Sequence, residues 1–156
     1  MTGYAISGLD PEPFVSLYGL DDAALAERGV IRMRSDAEIG FPCRITLEDV
    51  PPGGDVLLLN HEHLPVDTPY RSRHAIFVRE GAHEAARYEN AVPRQLAVRL
   101  LSVRAFDARD MMVDADVVDG ADLEPLIARM FGDPAVSYIH VHNAKRGCFA
   151  ARVDRA

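Results

Sequence analysis

The stretch Gly40–Val78, GFPCRITLEDVPPGGDVLLLNHEHLPVDTPYRSRHAIFV, decides the fold and holds many of the residues that could carry chemistry. The turn Pro51–Gly54 divides it, since proline and glycine adopt the backbone angles that turns need. Asp55–Asn60 follows the turn and is apolar on both faces, which predicts a central strand. His74–Val78 predicts another buried strand, and alternation over Phe41–Leu47 predicts a third.

Toward the C-terminus the pattern predicts one helix and one hairpin. Asp122–Phe131 places its large apolar residues at helical spacing, and Gly132 ends it. Val136–His142 and Cys148–Val153 are apolar segments joined by a short loop that contains glycine, as in a β-hairpin. Strands outnumber long helices, and most connections are too short for helical crossovers. The predicted fold is therefore α+β, a mostly antiparallel sheet with a few covering helices.

Length and charge limit the classes of function. The 156 residues predict a single globular domain over 1–156. The formal charge of -7 repels phosphate backbones, so we expect no nucleic-acid binding. No run approaches the ~18 apolar residues of a membrane span, and the N-terminus lacks the pattern of a signal peptide. Two cysteines are too few for a disulfide scaffold, so we expect a cytoplasmic protein with reduced thiols.

Four of the six histidines form two His-x-His pairs, His61 with His63 and His140 with His142. Alternate residues of a strand face the same way, so each pair could offer two imidazoles to one ion. Two such pairs on neighbouring strands would suit zinc. The alternative is that the first pair is solvated and that His140 is a core histidine bonded to the backbone.

Cys43 and Cys148 are the second candidate group, as catalytic residues. Cys43 is followed by Arg44, and Cys148 is preceded by Lys145-Arg146-Gly147. Nearby cations lower the pKa of a thiol and favour the reactive thiolate. With a histidine as base, either could act as a nucleophile, and together they could form a redox pair. The alternative is that both are small buried hydrophobes, which cysteine usually is.

A third group predicts a pocket for an anion. Arg44 and Arg71 would hold the anion, because the guanidinium fork matches carboxylate and phosphate. Tyr70 and Asn143 would add neutral hydrogen bonds, and Arg146 lies close to Asn143 in sequence. The alternative is a set of ordinary surface salt bridges, each worth little.

Several of these motifs resemble a known family. Gly40-Phe41-Pro42-Cys43-Arg44, Pro69-Tyr70-Arg71 and Asn143-Ala144-x-x-Gly147-Cys148 resemble a bacterial family of single-domain proteins that carries a "domain of unknown function" number. The resemblance covers nearly the whole chain and implies no mechanism. In that family an arginine often stands at the position of His142. The resemblance therefore implies that the shared pattern favours the pocket over a four-histidine metal site.

The sequence leaves three functions open, and does not decide whether the protein is an enzyme. The first is a small-molecule binding protein or enzyme whose pocket takes a small anionic molecule. The second is a zinc-binding protein. The third is an interaction module, such as a homodimer, that pairs exposed strand edges. The chain has no phosphate-binding loop, no Gly-x-Gly-x-x-Gly, no Gly-x-Ser-x-Gly and no Cys-x-x-Cys motif, so the common enzyme classes that use them are disfavoured.

Overall fold

The computed structural model describes residues 3–156 and has an α+β fold, as the sequence predicts. Its nine strands are β1 Tyr4–Ser7, β2 Ile31–Arg34, β3 Asp55–Leu64, β4 Ser72–Arg79, β5 Arg87–Glu89, β6 Leu100–Phe106, β7 Met112–Asp119, β8 Tyr138–Asn143 and β9 Phe149–Arg155. Its helices are α1 Glu12–Val15, α2 Asp22–Glu27, α3 Arg94–Ala97 and α4 Leu123–Phe131, with a 3-10 turn at Gly120–Asp122. Within residues 3–156, no helix combines the length and apolar character needed to cross a membrane.

Two antiparallel sheets form the framework. The larger has six strands in the order β5-β1-β9-β8-β6-β7, and the smaller has three in the order β2-β3-β4. The predicted C-terminal hairpin is confirmed as β8 and β9. The predicted helix is confirmed as α4, which buries Leu126, Ile127 and Met130 against one face of the larger sheet.

The central strand predicted after the Pro51–Gly54 turn is confirmed, but β3 runs on to Leu64 instead of ending at Asn60. His61 and His63 therefore both belong to the strand. The pairing of β3 with β4 shifts register between His61 and Leu64, which marks a β-bulge. Bulges re-aim side chains, so the two histidines contact different neighbours despite their alternate spacing.

The strand predicted over Phe41–Leu47 is wrong. Pro42 and Cys43 form only isolated bridges, and the chain then turns back, with the amide of Leu47 donating to the carbonyl of Cys43 at 3.1 Å. The Cys43 sulfur accepts the amides of Ile45 and Thr46, both at 3.4 Å, which stabilises the turn. Alternation alone did not reveal this, because a turn with its apolar side chains buried carries the same pattern of residue types.

The turn around Arg44 joins the two sheets. The Arg44 amide donates to the carbonyl of Phe77 in β4 at 3.0 Å, and the Arg44 carbonyl accepts from Leu9 at 2.8 Å, just after β1. The Arg44 side chain reaches the carbonyl of Phe149 at the start of β9. The residue that the sequence singled out for anion binding thus lies at the junction between the sheets.

Candidate functional site

A cavity of about 660 Å³ opens beside this junction, between β4 and the turn that joins β8 to β9. Arg44, Arg99, Lys145 and Arg146 contribute four cations to its lining, and no lining residue of the described chain is acidic. The remaining lining is mostly apolar, with Met33, Ile39, Leu58, Ile76, Phe77, Val98 and Leu100. The cavity therefore has a positively charged and largely apolar lining, in a protein that is acidic overall.

Arg44 is buried, with 2% of its surface exposed, and none of its hydrogen bonds goes to a carboxylate. Nε donates to the carbonyl of Phe149 at 2.8 Å, Nη1 to that of Pro42 at 2.6 Å, and Nη2 to the sulfur of Cys148 at 3.1 Å. Burial lowers the pKa of the Arg44 guanidinium, but arginine stays protonated in proteins. A buried cation held by neutral acceptors still favours an anion nearby.

The other three cations of the cavity differ in how far they are neutralised. Arg99 forms a two-pronged ion pair with Asp49, at 2.6 and 3.0 Å. Lys145 and Arg146 are exposed, and neither forms a salt bridge with any residue in 3–156. These two side chains of the β8–β9 turn thus keep their charge available to a ligand.

The two cysteines have different surroundings, and both are free thiols. Cys148 lines the cavity, where its sulfur accepts a hydrogen bond from Arg44. The side-chain amide nitrogen of Asn143 lies 3.5 Å from the same sulfur. Cys43 is fully buried in an apolar cluster, and the backbone amide of Arg79 donates to its sulfur at 3.2 Å. The structure therefore places Cys148 at the cavity and Cys43 in the core.

Two of the four predicted anion-binding residues lie at the cavity and two lie outside it. Arg44 and Asn143 lie together at the cavity with Cys148, and Asn143 Oδ1 is buried without a hydrogen-bond partner among the described residues. Arg71 is exposed and pairs with Glu62 at 3.0 Å, outside the cavity lining. Tyr70 also lies outside the lining and contacts the ring of Phe106.

A histidine cluster lies between the two sheets, separate from the cavity lining. It consists of His63 from β3 and of His140 and His142 from β8, and one nitrogen from each ring lies within 4.8 Å of the others. His63 also stacks on Phe149, with ring centroids 5.0 Å apart. His61, the fourth predicted ligand, is not in this group and contacts Phe14 instead.

The three imidazoles of the cluster are held neutral. Burial, more than any charge, lowers the pKa of His63 to about 4 and those of His140 and His142 to about 3. Nearby cations, Arg104 among them, lower these pKa values further. At neutral pH each ring therefore keeps one nitrogen with a free lone pair, which is the form that binds metals.

Hydrogen bonds fix one of the rings and leave two unsatisfied. His142 Nδ1 lies 2.9 Å from the carbonyl of Gly147, so it is the protonated nitrogen and Nε2 keeps the lone pair. His63 Nδ1 and His140 Nδ1 are buried and have no hydrogen-bond partner within residues 3–156. Buried polar atoms almost always have partners, so two such nitrogens side by side make the cluster a candidate ligand site.

Sequence reasoning did not identify three residues near these sites. Arg99 completes the cation set of the cavity, and Ser102 and Arg104 lie opposite His142 and His140 in the pairing of β6 with β8. The alternation of β6 does predict that Ser102 and Arg104 share one face. Only the strand register shows that this face carries the histidines.

Comparison with known proteins identifies the family. Neither the curated proteins nor the solved structures gave a match. The model of one family, described as a protein of unknown function (DUF1203), matches residues 40–155. This range contains the cavity residues Arg44, Asn143 and Cys148 and all three histidines of the cluster. The match confirms the resemblance to a numbered family of unknown function, and the chain belongs to the DUF1203 family.

Proposed function

We propose that this protein binds a small organic acid, an anionic head group on an apolar body, in the cavity beside Arg44. One observation carries the proposal: the lining has four cations and no acidic residue among those described, in a chain whose formal charge is -7. The chain has 24 acidic and 17 basic residues, so a lining drawn at random would contain at least as many carboxylates as cations. A lining whose charged residues are all cationic therefore favours an anionic occupant.

The cations of the cavity would have different roles. Arg44 is held by three acceptors, so its guanidinium is fixed in position before a ligand arrives. A charge that is already oriented loses little entropy on binding. Lys145 and Arg146 are exposed in the β8–β9 turn, where they would attract the acid and close over its head group.

The apolar residues set the size and kind of the ligand body. Ile39, Phe77 and Leu100 lie in the same lining, so a hydrocarbon chain or ring would bury surface against them. A volume of about 660 Å³ is within the range of small-molecule sites. Inorganic phosphate alone would leave this apolar surface in water, so we favour an amphipathic acid over a bare anion.

A cytoplasmic location is part of this proposal. Cys43 and Cys148 are free thiols, and free thiols persist in reducing compartments. Cys148 would form part of the polar floor of the cavity through its contact with Arg44.

The test is isothermal titration of the full chain with octanoate, and with 1-octanol as a neutral probe of the same chain length. We expect octanoate to bind and octanol to bind at least about tenfold more weakly, because only octanoate carries a negative charge that Arg44, Lys145 and Arg146 can attract. Arg146→Glu should weaken octanoate binding by about tenfold. Arg71→Glu is the matched control, with the same charge reversal outside the cavity, and should leave the affinity unchanged.

Three results would overturn the proposal. They are equal binding of octanoate and octanol, no binding of octanoate at millimolar concentration, and equal weakening by Arg146→Glu and Arg71→Glu. Arg44→Met tests the buried cation directly, because methionine keeps much of the volume without the charge. If Arg44→Met folds, judged by circular dichroism, it should bind octanol as the wild type does and lose the preference for octanoate.

A further inference from the structure

The three histidines of the cluster come from both sheets, so the fold itself assembles them. His140 and His142 occupy alternate positions of β8 and face the same side, and His63 approaches from β3 across the gap between the sheets. Ring centroids of His63 lie 5.0 Å from His142 and 5.9 Å from His140. Three nitrogens bound to zinc at ~2.1 Å would lie about 3.4 Å apart. Small ring rotations would close the present separation of up to 4.8 Å.

The hydrogen bonds of the three histidines match a metal site better than they match histidines that only fill the core. A core histidine normally satisfies its polar atoms with the backbone, as His142 Nδ1 does with Gly147. That bond also matches the arrangement found in metal sites, where the ring nitrogen that does not bind the metal donates to a carbonyl. The unpartnered Nδ1 atoms of His63 and His140 have no such explanation within residues 3–156.

The charges around the cluster define what else would bind there. Arg104 lies directly opposite His140 on β6, and Ser102 lies opposite His142. Within residues 3–156, the Arg104 side chain makes one hydrogen bond, from Nε to Ser102 Oγ at 3.3 Å, and pairs with no carboxylate. Arg152, opposite His140 on the other side, is already paired with Asp154. Of the two arginines opposite His140 in the described chain, Arg104 is thus the one whose guanidinium can still bind an anion.

We propose that His63, His140 and His142 bind one transition-metal ion, best matched by zinc, and that an oxyanion held by Arg104 and Ser102 occupies its fourth position. Three neutral nitrogen ligands with one open position is the ligand set of catalytic rather than structural zinc sites. The three rings leave the full double charge of the ion uncompensated, and Arg104 adds another positive charge. An anionic fourth ligand would offset both the charge of the ion and that of Arg104. This inference is independent of the proposed cavity ligand, since the two sites share no lining residue.

The metal is tested on the full chain after removal of bound ions with a chelator. Titration with Co²⁺ should produce visible d–d bands that saturate at one ion per chain, and Zn²⁺ should displace Co²⁺ and abolish the bands. His140→Gln and His63→Gln should each weaken binding on the order of 100-fold. His61→Gln is the matched control, a histidine of the same strand outside the cluster, and should bind Co²⁺ as the wild type does.

The results that would overturn the metal site are equally definite. Failure of the wild type to saturate with Co²⁺ or Zn²⁺ at micromolar concentration would remove it. An equal loss in His61→Gln would show that binding does not depend on the cluster. Because His140 is buried and its variant could misfold, His63→Gln, at a partly exposed position, provides the second measurement. A folded His63→Gln with undiminished affinity would also exclude the site.

The role of Arg104 has its own readout. Titration of the Co²⁺-loaded protein with bicarbonate should shift the d–d bands as the anion enters the fourth position. Arg104→Met should keep Co²⁺ binding and weaken bicarbonate binding by about tenfold. Ser102→Ala should weaken it less, since it removes only a neutral hydrogen bond. Unchanged bicarbonate affinity in Arg104→Met would overturn the role of Arg104 in anion binding. It would leave the metal site itself intact.

Discussion

The two faces of the six-stranded sheet differ in chemistry although both are covered. One face presents Leu101, Val103, Ile139 and Val141 to α4 and forms the largest apolar cluster within residues 3–156. The other face belongs to the same strands but presents the residues between them, Ser102 and Arg104 on β6 and the two histidines on β8. One strand step thus separates a packed core from a polar layer with unpartnered nitrogen atoms.

The difference shows where stability and function lie in this fold. An apolar face gains free energy from burial, roughly in proportion to the area removed from water. A polar face that is covered without complete hydrogen bonding loses free energy, so its residue types are not explained by stability. The polar face and the cavity beside it are therefore where selection for a ligand would act.

Among single substitutions, the largest effect should come from the apolar face. Leu101→Ala removes a fully buried side chain, and we expect the free energy of unfolding to fall by about 2–5 kcal/mol. Ser102→Ala, one step along the strand on the other face, should change it by less than about 1 kcal/mol. Urea denaturation of the metal-free protein measures both. Similar losses in the two variants would show that the faces do not differ in this way.

Mild acid should destabilise the protein through the polar face. The imidazoles of His63, His140 and His142 have pKa values of about 4, 3 and 3 in the folded chain and an ordinary value of 6.5. Between these limits the unfolded chain binds more protons than the folded one. The stability of the metal-free protein should therefore fall as the pH falls from about 6.5 toward 4, by up to roughly 3 kcal/mol for each imidazole.

The charged neighbours of the cluster reinforce this direction. Arg104 disfavours protonation of all three imidazoles, Arg152 that of His140, His61 that of His63, and His74 those of His63 and His142. The measurement is urea denaturation at pH 5, 6 and 7 with chelator present. His140→Phe should flatten the dependence by removing one of the three protons, whereas His83→Gln, at an exposed histidine, should leave it unchanged. A wild-type stability that is constant over this range would contradict the pKa values.

Replacing a ring of the cluster should have a smaller effect on the metal-free protein, with the opposite sign to a core mutation. His140→Phe removes a buried nitrogen that has no partner and keeps an aromatic ring beside Phe106 and Phe149. We expect its free energy of unfolding to rise by about 1 kcal/mol. Zinc at 100 times its Kd should stabilise the wild type by about 2.7 kcal/mol and this variant not at all.

A loss of about 2 kcal/mol or more in metal-free His140→Phe would contradict this expectation. It would assign His140 a packing or hydrogen-bonding role in the core. Urea denaturation with and without zinc distinguishes the two roles, because only a ligand residue changes the response to the ion.

The sequence was enough to predict the fold class, the central strand, α4 and the C-terminal hairpin, because each depends on local pattern. It was also enough to select Arg44, Asn143, Cys148 and the clustered histidines as candidates from residue chemistry. It could not separate Arg71 from Arg44, because both are arginines in motifs of the same appearance. Their long-range contacts separate them: Arg44 donates to Phe149, 105 positions away, whereas Arg71 pairs with Glu62, 9 positions away.

The register between β6 and β8 is the second thing that the sequence could not supply. The pairs of Arg104 with His140 and of Ser102 with His142 follow from one alignment of the strands, and a shift by one residue would face the histidines with the apolar set. The position of His61 could not be predicted from sequence either. His61 and His63 have the same spacing as His140 and His142, but the bulge in β3 gives His61 and His63 different neighbours.

The smallest effect should come from Arg71, which the sequence placed in the anion pocket and the structure places on the surface. Arg71 pairs with Glu62 and is more than half exposed in its side chain, at 56%. Exposed pairs of this kind contribute about 0–1 kcal/mol, so Arg71→Ala should lower the free energy of unfolding by about 0.5 kcal/mol or less. Because the side chain lies outside the cavity lining, the affinity for octanoate should stay unchanged in titration calorimetry. A severalfold loss of octanoate affinity in Arg71→Ala, with Arg44→Met folded and unaffected, would move the anion site from the β8–β9 turn to the loop before β4.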